Sequence, residues 1–308
     1  MKKKILSENK LRKRYFILKT AFVVLLILFG TGIYFSYDYL AFRILTSNYI
    51  YTDTLDEIYE EALGDSFKGY YKDFDRMMIA VVTEKIRVVG GDRYTYLYNP
   101  DAYKYSKEQE KTQAATARME ALTEDTVYVS LPNISKYTWE FISENREEIN
   151  GYEKLVLDLR SNRGGGLSAM YKIAGLFLNA DDVISYEKAI QPIFSKTIKA
   201  KGAQYFQFEQ IVILLNENTA SAAEGLTMAL RENMDNVTTM GTGSFGKGIS
   251  QITIPLTAGY AVKATIATVH TPSGGSIHLT GIEPDIIYEG EDILNEVLLN
   301  GFKPIANS

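Results

Sequence analysis

The chain has 308 residues, 46% hydrophobic and 23% charged, the balance of an ordinary folded protein with room for one large core. It has no cysteine, which excludes disulfides, thiolate nucleophiles and a lipid-modified cysteine, and only two histidines, His270 and His278, which argues against a histidine-rich metal site. Residues 1–19 carry eight Lys or Arg against Glu8, a local charge of +7, so with −5 overall the remaining chain carries −12. A body that acidic disfavours phosphate backbones, and nucleic acid is not an expected partner.

The first element in chain order is therefore a basic tail, residues 1–19, expected in the cytoplasm. Residues 20–37 follow with 18 uncharged positions ending among Tyr34, Tyr37 and Tyr39, enough helix to cross a bilayer. A cleaved signal peptide competes with this transmembrane anchor, but no small-x-small pattern closes the run. The Lys/Arg excess ahead of the span predicts an extracytoplasmic location for everything after residue 38.

Residues 54–63 show helical apolar spacing, 76–89 read as a helix or strand, and 90–106 are turn-rich and aromatic. Residues 108–122 are polar and Ala-rich, an exposed helix or connector. Together, residues 38–125 form a small, mostly helical, cap-like region. From residue 126 to 308 the texture becomes alternating strand and helix. Strands are expected at 127–131, 154–159 and 211–215, with helices at 137–148, 168–179 and 220–232 between and after them. Further strands are expected at 237–241, 250–256, 260–270 and 285–288. This alternation predicts an α/β core with a largely buried sheet.

Three segments could carry chemistry. LVLDLRSNRGGG, residues 155–166, is a buried strand emptying into a glycine turn whose N–H groups suit an oxyanion. NENTASAAEGLTMAL, residues 216–230, puts Ser221 at a helix start, where free N–H groups flank its hydroxyl; such a serine is also a common helix cap. MGTGSFGKGISQITIPL, residues 240–256, approaches a phosphate-binding loop through Gly241, Gly246 and Lys247. It fails because Gly248 replaces the magnesium-holding hydroxyl and a strand pattern follows.

In combination these segments resemble the tail-specific, or C-terminal processing, serine peptidases. The likeness rests on DLRSNRGGG, NTASAAE, GSFGKGISQ and HTPSGGSIHLTGIEPD (270–285), in the family's order. The resemblance implies a crotonase/Clp-peptidase-like core, with Ser221 as nucleophile, Lys247 as general base and Gln251 holding the lysine amine. It further implies an oxyanion hole from the N–H of Ala222 with that of Gly164 or Gly165, and neither metal nor organic cofactor. Arg163, Gly166 and Ala223 depart from the family's usual residues without removing a catalytic group. A larger departure is that only residues 107–125 stand where relatives carry a PDZ module, which leaves no room for one.

The expectation is thus a membrane-anchored extracytoplasmic serine endopeptidase acting on proteins or peptides, with a regulatory partner or homo-oligomer left open. Lys247 must then act unionised, with Phe245, Ile249 and Ile252 expected to supply apolar cover. The rival is an inactive membrane-tethered binding or scaffold protein on the same fold. A Ser-His-Asp hydrolase using His270 or His278 lacks a G-x-S-x-G elbow.

Overall fold

The structure, a computed structural model, describes residues 2–48 and 72–302. The helix expected over residues 54–63 lies outside them. The described residues divide into two compact units: one takes in residues 2–47, 72–100 and 253–264, the other 48, 101–252 and 265–302.

In the first unit, α1 runs Lys2–Asn48 as one helix. Its stretch Tyr15–Tyr34 is 20 residues of mean hydropathy 2.3 with none of it buried. At 1.5 Å per residue this gives about 30 Å of exposed apolar helix, a length and composition able to cross a membrane. Beyond it the helix turns inward, and Asp38, Ala41, Phe42 and Leu45 are buried. The Asp38 carboxylate accepts from the Thr257 hydroxyl at 2.6 Å and its N–H at 3.1 Å, with Arg76 Nε at 3.9 Å. Arg76 belongs to α2, Lys72–Val88, whose buried stripe Met78, Ile79, Val82 and Ile86 has helical spacing. The segment read as helix or strand is thus a helix. Strand β1, Tyr96–Tyr98, pairs antiparallel with residues 261–263.

The second unit begins with α3, Pro100–Ala114, and β2, Arg118–Ala121, which occupy the connector region. Its main sheet has six strands in the order β11-β8-β7-β4-β3-β2: β3 is Thr126–Ser130, β4 Lys154–Asp158, β7 Gln210–Leu215, β8 Val237–Gly241 and β11 Ile286–Ile287. All pairings are parallel except β2 with β3. The boundary read at residue 125 thus falls between two strands of one sheet. Parallel strands covered on both faces must be apolar at successive positions. Accordingly, Leu155, Leu157, Ile211 and Ile213 point to one core with Met170, Ile173 and Leu226. Their neighbours Val156, Val212 and Leu214 point to the other with Met240 and Val297.

The crossover helices are α4, Lys136–Ile149, α5, Leu167–Phe177, and α6, Ala222–Asn233. A short α7, Ile293–Glu296, follows β11. The strand–helix alternation expected after residue 126 is borne out. Missing from the sequence reading is the hairpin of β5, Val183–Ala189, and β6, Lys196–Lys199. It pairs with the far half of β10, Ala261–His270, while β9, Ile249–Pro255, pairs with β10 as well.

Candidate active site

Ser221 lies where β7 hands over to α6. The turn between them is held before the serine is reached: Asn216 N–H donates to Thr219 Oγ1, and that hydroxyl donates to the Leu159 carbonyl at 2.8 Å. Ala220 N–H donates to the Asn162 carbonyl at 2.9 Å. Ser221 then adopts φ 57°, ψ −118° as the N-cap of α6. A non-glycine residue in that conformation costs on the order of 1–3 kcal/mol and persists only where its surroundings impose it.

The group that imposes it is Glu224, three residues on and fully buried. Its Oε2 accepts the Ser221 N–H at 2.7 Å and the Lys247 N–H at 2.9 Å. Its Oε1 accepts the Gly246 N–H at 2.7 Å and the Ser244 hydroxyl at 2.5 Å. One carboxylate therefore ties the serine turn to the lysine turn through four hydrogen bonds. Each hydrogen bond to a charged group contributes roughly 1.5–3 kcal/mol, and a buried donor left bare costs a similar amount.

The Lys247 turn is held from its other side by the 270–285 motif. Leu279 N–H donates to the Gly246 carbonyl, Val269 N–H to that of Gly248, and Ile282 N–H to Ser244 Oγ at 2.7 Å. Lys247 is half-buried, and Gln251 stands half-buried as the third residue of β9. The expected apolar cover needs correction: Phe245 and Ile252 stand 41% and 36% exposed, and only Ile249 is buried. His270 bonds Thr268 Oγ1 and the Gly274 carbonyl through its two ring nitrogens.

The glycine loop packs directly on the serine. A Cβ at Gly164, whose φ is +86°, would lie 2.8 Å from the Ala222 nitrogen and from Ser221 Cβ. One at Gly165, φ +147°, would lie 1.9 Å from the Ile134 carbonyl oxygen. Side chains are excluded at both by space as well as by φ. The two candidate donors differ: the Gly164 N–H is given to Asn162 Oδ1 at 2.9 Å, whereas Gly165 is exposed. Asn162, itself buried, also donates to the Leu131 carbonyl and so braces the loop.

At the end of β4, buried Asp158 accepts a forked pair from Arg160, Nε to Oδ1 at 3.0 Å and Nη2 to Oδ2 at 2.6 Å, together with the Tyr128 hydroxyl at 2.7 Å. The Asp158 hydrogen bond holds the Arg160 guanidinium pKa above its usual value, and burial, then Asp158, pushes the Tyr128 phenol up. This network fixes the strand end from which the glycine loop departs.

Of the site residues read from sequence, Ser221 and Lys247 are joined through Glu224, and Gly164 packs against Ser221 and Ala222. Glu224, Asn162 and Ser244 were missed as individual residues, although Ser-x-x-Glu at a helix start is the signature of a capping box, and here the Glu224 carboxylate accepts the Ser221 N–H. Among the described residues no group of three or more His, Asp or Glu side chains could hold a metal ion.

Residues 125–288, more than half of the chain, match the model of Peptidase family S41. The chain belongs to that family, among the C-terminal processing peptidases. It is 33% identical over 213 residues to a carboxyl-terminal-processing protease of a Picosynechococcus species, covering 68% of this chain and 47% of that protein. It is 38% identical over 143 residues to a carboxy-terminal-processing protease of Bartonella bacilliformis, covering 46% and 32%. The chain thus spans between about a third and a half of these relatives' own length. Among solved structures, a lipoprotein from Streptococcus agalactiae shares the fold at TM-score 0.64 and 21% identity, over 87% of this chain and 96% of that one. A putative peptidase from Parabacteroides merdae does so at 0.52 and 18%, over 82% and 89%.

Proposed function

We propose that this chain is a serine endopeptidase that cleaves protein or peptide substrates through an acyl-enzyme on Ser221, with Lys247 as general base. Glu224 carries the reading, because one buried carboxylate holds the backbone of both residues. That convergence of two turns is unnecessary for a scaffold and useful for a nucleophile and its base, which must meet within hydrogen-bond reach. Family membership supports the same class of reaction.

Unionised Lys247 Nζ takes the Ser221 hydroxyl proton as Oγ bonds to the scissile carbonyl carbon. The resulting oxyanion is held by the Ala222 N–H at the start of α6 and by the Gly165 N–H, the Gly164 N–H being engaged by Asn162. The C–N bond then breaks as the lysine returns its proton to the leaving amine. Water, deprotonated by the same amine, releases the acyl group and restores the serine. Gln251 orients the amine without adding a charge that would favour the ammonium.

The exposed apolar stretch Tyr15–Tyr34 supports a single membrane anchor with the basic tail in the cytoplasm and the catalytic unit outside. Labelling the full chain with a fluorophosphonate and sequencing the modified peptide tests the enzyme reading. An adduct on Ser221 is expected; failure of any serine to react would return the scaffold reading to first place.

A further inference from the structure

We propose that the groove along α5 binds an extended, acidic stretch of the substrate; this rests on the peptidase reading above and adds to it a substrate class. The groove encloses about 640 Å³ within the second unit, the size of an ordinary ligand site. One wall is a single face of α5, where Tyr171, Lys172 and Leu176 have helical spacing. Trp139 of α4 stands on the same groove, and Ile198, Lys199 and Lys201 face it from the β6 side.

Charge decides the occupant. The lining carries three lysines and no carboxylate, on a body whose net charge after residue 19 is −12. An acidic segment is drawn to such a spot and repelled by most of the remaining surface. The Lys172 ammonium lies 5.6 Å from the Trp139 ring centre. Lys199 lies 3.7 Å from Asp181, but the two side chains are 50% and 86% exposed, so a substrate carboxylate can replace that partner at little cost. Between the lysines, Trp139, Leu176 and Ile198 offer an apolar floor for one aliphatic side chain.

The walls are set in advance. The Tyr171 hydroxyl donates to buried Glu187 at 2.5 Å, which locks that side chain against β5. β6 closes the strand order β10-β5-β6, with β5 as its neighbour on one side. Its backbone edge is of the kind an extended peptide can extend.

Position links the groove to catalysis. α5 begins at Leu167, directly after the glycine loop that packs on Ser221. From Ser168 to Leu176 the helix rises about 12 Å, which an extended peptide covers in roughly four residues. A segment in the groove would therefore run away from the scissile bond, anchored by charge without a free C-terminal carboxylate.

Trp139 is the chain's single tryptophan and reports occupancy without turnover. The full chain carrying Ser221→Ala, in detergent, is titrated with a blocked peptide containing Glu-Leu-Glu-Glu and with its Lys-Leu-Lys-Lys counterpart. A saturable change in Trp139 emission is expected with the acidic peptide, at least about tenfold tighter than with the basic one. Adding Lys172→Glu and Lys199→Glu should reverse that preference, and Lys172→Gln with Lys199→Gln should reduce it if the first pair fails to fold. No emission change with the acidic peptide, equal affinity for the two peptides, or a preference unmoved by the lysine substitutions would overturn the proposal. The peptidase reading is scored separately on the parent. Cleavage indifferent to the groove lysines leaves the enzyme standing and removes this site; binding without any cleavage by the parent removes the enzyme and, with it, a substrate as occupant.

Discussion

Ser221 and Lys247 sit on turns of different construction. The serine turn is braced over a few residues, Asn216 to Thr219 and Ser221 to Glu224, with added bonds to the neighbouring strand end at Leu159 and Asn162. The lysine turn has its braces far away in sequence: Thr219 and Glu224 more than 20 residues before it, and Leu279 and Ile282 more than 30 after. The local bonds of the serine turn can form with its helix, while those to Leu159 and Asn162, about 60 residues earlier, wait for the sheet. The lysine turn, braced only from afar, exists only when the surrounding segments are in place, so damage to the braces should misplace Lys247 before it unfolds the core.

The largest expected effect is on the serine side. Ser221→Ala should lower peptide turnover by roughly 10⁴-fold or more while leaving the thermal midpoint within about 2 °C of the parent, since the bond to Glu224 comes from the Ser221 backbone N–H, which alanine keeps. A comparable loss of stability would mean that the hydroxyl is structural. Next comes the shared brace. Glu224→Gln keeps the volume but replaces one accepting oxygen with an NH₂, so two of the four donors that converge on it lose their acceptor. Urea unfolding should show a loss of about 2 kcal/mol, and kcat/KM should fall about 10- to 100-fold. Parental activity in a well-folded Glu224→Gln would dissolve the link between the two turns.

Smaller effects lie outside both turns and serve as controls. Lys154 and the hydroxyls of Thr123 and Thr126 hold the Asp125 carboxyl well below its usual range. A carboxyl with a depressed folded pKa contributes stability above its unfolded value, near 3.8, and loses it progressively as pH falls further. Asp125→Asn should therefore flatten the acid side of the stability curve from about pH 4 downward. It should leave kcat/KM at neutral pH unchanged. Smallest is the response to amidating a substrate's C-terminus: with α3 and β2 where the resemblance would lead one to expect a PDZ module, kcat/KM should change by less than about threefold. A large loss would reveal a carboxylate-reading site elsewhere.

The difference between the turns also decided what could be read from sequence. β7 and β4 were legible because a parallel strand buried on both faces is apolar at successive positions; the place of Ser221 after such a strand was legible too, but that place alone reads as a helix cap, and only the family resemblance singles the serine out. Glu224 was open to reading through its capping-box spacing, but its reach to Gly246 and Lys247 was not, since those contacts cross more than 20 residues. The β5–β6 hairpin escaped because its lysines and exposed side chains carry no clean alternation. Its strand character comes from pairing with β10. The apolar cover expected around Lys247 failed for a related reason: Phe245 on the turn and Ile252 on β9 are apolar in type, yet both stand exposed, and sequence does not encode that direction.

The central claim is that Lys247 activates Ser221. The most direct measurement is the second-order rate of fluorophosphonate labelling at Ser221 in the parent and in Lys247→Arg, at equal thermal midpoint. Arginine keeps the positive charge but stays protonated and cannot accept the serine proton. Labelling should be confined to Ser221 in the parent and slowed at least about 1,000-fold in Lys247→Arg; a folded variant labelled at the parental rate would rule out Lys247 as the activating base.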